Sequence, residues 1–219
     1  MIGLSSQMIN LTNLFDFSAI VNYISTNEIM PKDKQLLSQK DIEHALVRLA
    51  GDIISYNSSA QAKESLVLIG IHRRGVPLAK RLKLVIEKKI KKELLLGTLD
   101  ITLYRDDLDT VGHLPVVKNT YIPFDLTDKN VILVDDVLFT GRTIRSALNE
   151  LAEFGRARRI QLAVLVDRGH RELPIAADYV SKSVETKNDE IVMVRLKEID
   201  GIDEVVIAKK PLVKTVKIK

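Results

Sequence analysis

The chain predicts an α/β fold, a doubly wound and mostly parallel sheet flanked by helices, and three observations carry that expectation. Apolar runs short enough for strands, at 66–71, 131–134, 160–166 and 191–196, alternate with stretches whose apolar residues recur every three or four positions. Residues 131–134 are apolar at every position, as a central strand covered on both faces requires. A hydrophobic content of 46% over 219 residues is ample for the core of one ordinary domain with extensions.

Taken in order, Ser38-Gln39-Lys40-Asp41 reads as a helix entry of the Ser-x-x-acid type. Ile42, Ala45, Leu46, Leu49, Ala50, Ile53 and Ile54 follow at helical spacing. Asn57, Ser58 and Ser59 suggest a loop before the strand at 66–71, which ends at His72-Arg73-Arg74-Gly75. A helix is expected over 76–90, with Leu82, Val85, Ile86 and Ile90 inward and its lysines solvated. Residues 101–104 are expected to form another strand. Residues 105–119 then lack periodicity and contain Gly112 and Pro115, which suits a lid. Asp135 and Asp136 stand where the strand begun at 131 should end. Thr140, Gly141, Arg142 and Thr143 lead into a helix with Ile144, Ala147, Leu148, Leu151 and Ala152 on its buried face and Gly155 as its stop. The strand at 160–166, a polar turn at 167–174 and the late strand at 191–196 complete the reading. There is no internal repeat and no low-complexity tract.

Composition removes several classes of function. The absence of cysteine rules out disulfides, thiolate catalysis and cysteine-based zinc sites, and fits a reducing cytoplasm. Four histidines are too scattered for a metal cluster. A net charge of +4 and a pI near 9.1 suit anionic ligands without by themselves indicating nucleic acid. Residues 1–29 carry no Lys or Arg, so they do not read as a secretory leader, and their Asn and Ser residues interrupt any membrane span. They are expected to be an extension: a docking helix, a disordered segment or the product of a wrongly chosen start codon. The domain is expected over 30–208, and 209–219 form a basic tail read as an edge strand, a nucleic-acid arm or a disordered end.

The chemistry concentrates in residues 131–143, Val-Ile-Leu-Val-Asp-Asp-Val-Leu-Phe-Thr-Gly-Arg-Thr. In open α/β sheets ligands gather at the carboxyl ends of strands, so the paired acids should face a crevice. A helix opening on Thr and Gly offers backbone N–H groups, hydroxyls and a positive dipole end to a phosphate. Carboxylates suit hydroxyls or Mg2+. A ribose 5-phosphate satisfies both halves, with its 2- and 3-hydroxyls on the acids and its phosphate on the turn. The segment resembles the phosphoribosyl-pyrophosphate (PRPP) signature of type I phosphoribosyltransferases, which implies PRPP contacts from Asp135, Asp136, Val137, Leu138, Phe139, Thr140, Gly141, Arg142 and Thr143.

Two further segments narrow the resemblance. They are Asp100-Ile101-Thr102-Leu103-Tyr104-Arg105-Asp106-Asp107-Leu108 and Val164-Leu165-Val166-Asp167-Arg168-Gly169-His170-Arg171-Glu172-Leu173-Pro174. With them the chain, from about residue 30 to 207, resembles the pyrimidine operon attenuation regulators that double as uracil phosphoribosyltransferases. The resemblance implies a lid beginning at Tyr104, Arg105, Asp106 and Asp107, and a small hood over the sheet. It implies pyrophosphate binding by Arg73 and Arg74, in a turn that often holds a non-proline cis peptide, and a uracil pocket formed by Arg168 and the backbone around Val192. Arg73, Arg74, Asp135 and Asp136 would carry catalysis, with Mg2+ held mainly through PRPP and water. Purine-specific relatives usually place an acid where this chain has Phe139, and a phenyl ring cannot accept that proton; it packs beside a smaller base, or is one more core aromatic. UMP or UTP would be the effector, pyrimidine operon leader RNA the partner, and a homodimer or homotetramer the assembly. Arg48, His170, Arg171 and Lys182 are the candidate RNA contacts. Val47, Tyr56 and Ala176 stand where relatives carry polar or basic RNA contacts, so a homologue that has lost RNA binding is the alternative.

Overall fold

The computed structural model describes residues 33–59, 62–63, 65–101 and 120–209. In chain order the elements are β1 (Lys34–Leu37), α1 (Gln39–Tyr56), β2 (Leu66–Ile71), α2 (Gly75–Ile90), β3 (Leu95–Leu99), β4 (Asn130–Leu138), α3 (Arg142–Leu151), β5 (Arg159–Asp167), β6 (Tyr179–Ser183), β7 (Glu190–Arg195), the one-turn α4 (Lys197–Asp200) and β8 (Glu204–Lys209). Five strands form a parallel sheet in the order β3-β2-β4-β5-β6. The others form a small antiparallel sheet, β1-β8-β7, which with α4 makes the hood.

Alternation along the central strands divides the core between the two faces of the large sheet. Leu68, Ile132 and Val134 pack against Ile42, Leu46 and Leu49 of α1 and Leu78 and Leu82 of α2. Their neighbours Val67, Ile69, Val131 and Leu133 pack against Ile144, Ala147 and Leu151 of α3 on the other side. A strand buried on both faces has no polar side to show, and β2 is buried at all six positions. The helix entry at Ser38 is a complete capping box: the Asp41 N–H donates to Ser38 Oγ at 3.4 Å and the Ser38 N–H to Asp41 Oδ2 at 2.9 Å.

Several elements depart from expectation. Beyond Ile101 the strand expected at 101–104 lies outside the described residues, and an unexpected strand, β3, occupies Leu95–Leu99. It is an edge strand paired along its length with β2 and bridged at Thr98 to Tyr121, interrupted by Gly97 and half exposed at Leu95, so its apolar pattern is broken. Ile101 is buried just beyond it. Strand β4 does not stop before the acids but runs through Leu138, with Asp135, Val137 and Leu138 paired to Val164, Val166 and Asp167 of β5. Leu148 is exposed, and Ser146 takes the buried position instead, its hydroxyl donating to the Arg142 carbonyl at 3.1 Å. Strands β1, β6 and β8 were not expected. Lys209 ends β8 and pairs with Asp189 at 2.6 Å. The extension at 1–29, the lid residues Tyr104, Arg105, Asp106 and Asp107, and residues 210–219 lie outside the described residues.

Candidate active site

A cleft of about 290 Å3 opens at the carboxyl ends of β2, β4 and β5, with Val192 of β7 contributing from the hood. Its position follows from the sheet: strands that finish side by side leave their following turns around a common crevice.

Strand β2 delivers His72, Arg73 and Arg74 to one side of the cleft. The His72–Arg73 peptide is cis, as the family resemblance implies. The chain turns directly from there into α2, whose first residue is seated against β4; a Cβ on Gly75 would strike the Val134 carbonyl oxygen, so only glycine fits. Arg73 is exposed, whereas Arg74 is half-buried and forks onto Asp200 of α4, Nη2 to Oδ1 at 2.8 Å and Nε to Oδ2 at 3.2 Å. Hydrogen bonding to Asp200 raises the Arg74 pKa and holds the Asp200 carboxyl below the usual carboxylate range.

Strand β4 delivers the acids. Asp135 is buried, its Oδ1 accepting from the Asp136 N–H at 2.9 Å, while Asp136 is half-buried, and both line the cleft. Val137, Leu138, Phe139, Thr140, Gly141 and Thr143 continue the wall. Gly141 adopts φ 93° at the N-cap of α3 and has no side chain to cap the helix, so the start of α3, with Thr143 and Ile144 in its first turn, stands at the cleft wall. The Thr140 carbonyl accepts from the Glu172 and Leu173 N–H groups at 3.0 and 3.1 Å, fastening this turn to the segment after β5.

That segment supplies the base side. Arg168 is 5% exposed, yet its guanidinium lines the cleft, held by Nε donating to Thr186 Oγ1 at 3.2 Å and Nη2 to the Glu190 carbonyl at 2.9 Å. Its Cζ lies 4.0 Å over the Phe139 ring, so the phenyl group is a platform for the arginine as well as a cleft wall. Burial pulls the Arg168 pKa below the ordinary arginine value, opposed by the Glu190 carboxylate.

The remaining sequence candidates are distributed differently. The Arg142 side chain turns to Glu172, Nε to Oε2 at 2.6 Å, and does not line the cleft; its backbone N–H donates to Thr140 Oγ1 at 3.3 Å. Arg171 is occupied inside the protein, donating to the carbonyls of Phe139 at 2.6 Å, Gly169 at 3.0 Å and Ile175 at 2.9 Å and to Asp167 at 2.5 Å. It is a brace beneath Phe139. His170 Nε2 lies 2.7 Å from the Thr186 carbonyl oxygen, and its ring stands edge-on to Phe139 at 6.0 Å. Arg48 of α1 is exposed and donates to the carbonyl of Ser181, next to exposed Lys182, so these two share a face. His72, Ile144, Thr186 and Asp200 were missed by sequence reasoning. Nothing local in sequence to Thr186 or Asp200 marks them.

Comparison with known proteins fits this geometry. A model of the phosphoribosyl transferase domain matches residues 33–198, and fold and cleft together define a type I phosphoribosyltransferase. Solved hypoxanthine phosphoribosyltransferases share that fold at low identity. The Staphylococcus aureus enzyme superposes with a TM-score of 0.62 at 21% identity over 83% of this chain and 94% of its own. The Trypanosoma cruzi enzyme gives 0.62 at 16% identity over 81% and 97%. Much greater identity is found with the Bifunctional protein PyrR of Chloroflexus aurantiacus, 54% over 180 residues, 82% of this chain and 97% of that protein. That of Thermus aquaticus is 52% identical over 176 residues, 80% and 96%. The chain belongs to the bifunctional PyrR family, the pyrimidine operon attenuation regulators with uracil phosphoribosyltransferase activity.

Proposed function

We propose that the cleft transfers the phosphoribosyl group of PRPP to uracil, giving UMP and pyrophosphate, and that its occupancy by UMP or UTP governs binding to pyrimidine operon leader RNA. The observation that carries the enzyme reading is the convergence of Arg73, Arg74, Asp135, Asp136, the Thr140–Gly141 turn and Arg168 on one cleft. In this assignment the ribose hydroxyls meet Asp135 and Asp136, and the 5-phosphate meets the turn at 137–143. Pyrophosphate meets Arg73 and Arg74, while uracil lies between Arg168 and the backbone near Val192.

The bond from the anomeric carbon to pyrophosphate breaks as the bond to uracil forms, and the sugar is cation-like between the two. Asp135 and Asp136 offset that charge, and the arginines hold the charge gathering on the leaving group. Among the described residues no group of three or more His, Cys, Asp or Glu could hold a metal ion. Mg2+ would be held mainly through PRPP and water, with no firm protein ligand, and would supply charge neutralisation at pyrophosphate.

For the regulator, the shared face of Arg48 and Lys182 supports an RNA contact, joined by His170 at the cleft rim. Arg171 contributes by holding that rim. Val47 and Tyr56 are exposed but bring no charge, and the Tyr56 hydroxyl accepts from Arg159 at 2.9 Å, so RNA recognition is weaker than in relatives with basic residues there, or is lost. No described helix is long and apolar enough to cross a membrane, and we place the protein in the cytoplasm as a homodimer or homotetramer built from the 30–208 domain. Salt-dependent, UMP-enhanced binding to a pyrimidine leader hairpin tests the regulator; equal affinity with and without UMP contradicts it.

A further inference from the structure

The pyrophosphate turn and the hood meet at an ion pair that the reading above does not use. Arg74, at the N-cap of α2, forks onto both carboxylate oxygens of Asp200, and Asp200 Oδ2 also accepts from the Leu196 N–H at 2.9 Å. Two turns along α2, Arg81 forks onto the same stretch of hood. It reaches Glu198 Oε1 at 2.8 Å and Oε2 at 2.5 Å, and Asp203 Oδ1 at 2.8 Å and Oδ2 at 3.0 Å. Positions seven apart lie on nearly the same helix face, so the two arginines form one clamp on the turn that contains α4.

A guanidinium has five N–H groups in a rigid plane. Asp200 occupies the Nε–Nη2 edge, fixing that plane, while Arg74 still lines the cleft with Asp136. An arginine free in solution loses several rotors when it grips a ligand; one already held loses few. Asp200 also brings a negative charge near an anion site, an opposing effect. Positioning prevails because the carboxylate is itself anchored, to a backbone N–H and through α4 to the Arg81 clamp, and so is no loose competitor that the ligand must displace.

We propose that Asp200 is a positioning residue that sets Arg74 for the pyrophosphate end of PRPP, so the hood tunes pyrophosphate binding without touching the ligand. This rests on the phosphoribosyl reading of the cleft. The test uses the full-length protein and its Asp200→Asn, Asp200→Glu, Arg74→Ala and Arg74→Ala/Asp200→Asn forms, with steady-state kinetics and binding of pyrophosphate and of UMP, which lacks a pyrophosphate group. Asp200→Asn should raise the KM for PRPP and the Kd for pyrophosphate about tenfold, as loss of one charge-assisted contact does, and leave UMP affinity unchanged. Asp200→Glu should recover part of the loss, and in the Arg74→Ala background Asp200→Asn should add nothing. Unchanged or tighter pyrophosphate binding, an equal loss for UMP, or additive effects in the double variant would overturn the proposal. A wild-type protein that binds UMP but neither PRPP nor pyrophosphate would sink the functional reading first, and this inference with it.

Discussion

At the scale of single residues, the site depends on groups whose freedom has been removed before any ligand arrives. Asp135 is buried at the end of β4, and Asp136 stands beside it in the cleft. Replacing both by Asn preserves shape and removes charge, so the Asp135→Asn/Asp136→Asn form should keep its fold by circular dichroism and lose transferase activity; near-normal turnover would refute the ribose assignment. Arg168 uses two of its nitrogens on Thr186 and the Glu190 carbonyl and stacks on Phe139. Lysine offers a point charge and no plane. Arg168→Lys should therefore raise the KM for uracil by roughly tenfold to a hundredfold, the loss expected for hydrogen bonds to a charged group, and change the KM for PRPP little. Asp135, Asp136 and Arg168 could be picked out in sequence because each stands in a segment with recognisable chemistry, 131–143 or 164–174. Arg171 was misleading for the opposite reason: an arginine in a polar turn looks solvent-facing, and only the folded turn reveals the carbonyls of Phe139, Gly169 and Ile175 closing around it.

At the scale of elements, long periodic segments were readable and short edge strands were not. Helix α1 begins at the expected Ser38 box, and β2, β5 and β7 fall within one residue of their expected bounds, because burial on a helical face or on both strand faces leaves a pattern in sequence. Strands β1 and β6 are four and five residues long with little buried surface, and β3 is broken by Gly97; their pairing is decided by neighbours distant in sequence. The capping box gives a direct check: Ser38→Ala should lower stability in urea by about 1 kcal/mol without altering catalysis. The hood gives another. Hydrogen bonds from Arg81 and Arg74 hold the Glu198 and Asp200 carboxyls below their usual range. Groups depressed in the folded state contribute stability above their unfolded values, near pH 4, and lose it as pH falls through the folded ones. The denaturation midpoint should drop as pH falls below about 4, less steeply for Arg81→Met and less steeply in high salt, since Glu198 is half exposed. An acid slope identical in Arg81→Met would remove the clamp from the account.

At the scale of the whole molecule, two sheets divide the labour. The parallel sheet brings three strand ends to one crevice, and the antiparallel hood lays Val192 across it and ties Arg74 through Asp200. Its fold is shared with hypoxanthine phosphoribosyltransferases at 16–21% identity, so the fold alone does not select the base; in the proposed assignment that task falls to Phe139, Arg168 and the hood backbone. A retained fold without a working site would show no thermal shift with PRPP, UMP or UTP, whereas binding at a hundredfold excess over Kd stabilises by about 2.7 kcal/mol. The most direct measurement is pyrophosphate release from PRPP by the purified protein with Mg2+, with uracil, hypoxanthine or no base. Release should depend on uracil, be absent with hypoxanthine and disappear in Asp135→Asn/Asp136→Asn; release that ignores the base, or survives in that variant, would refute the uracil phosphoribosyltransferase assignment.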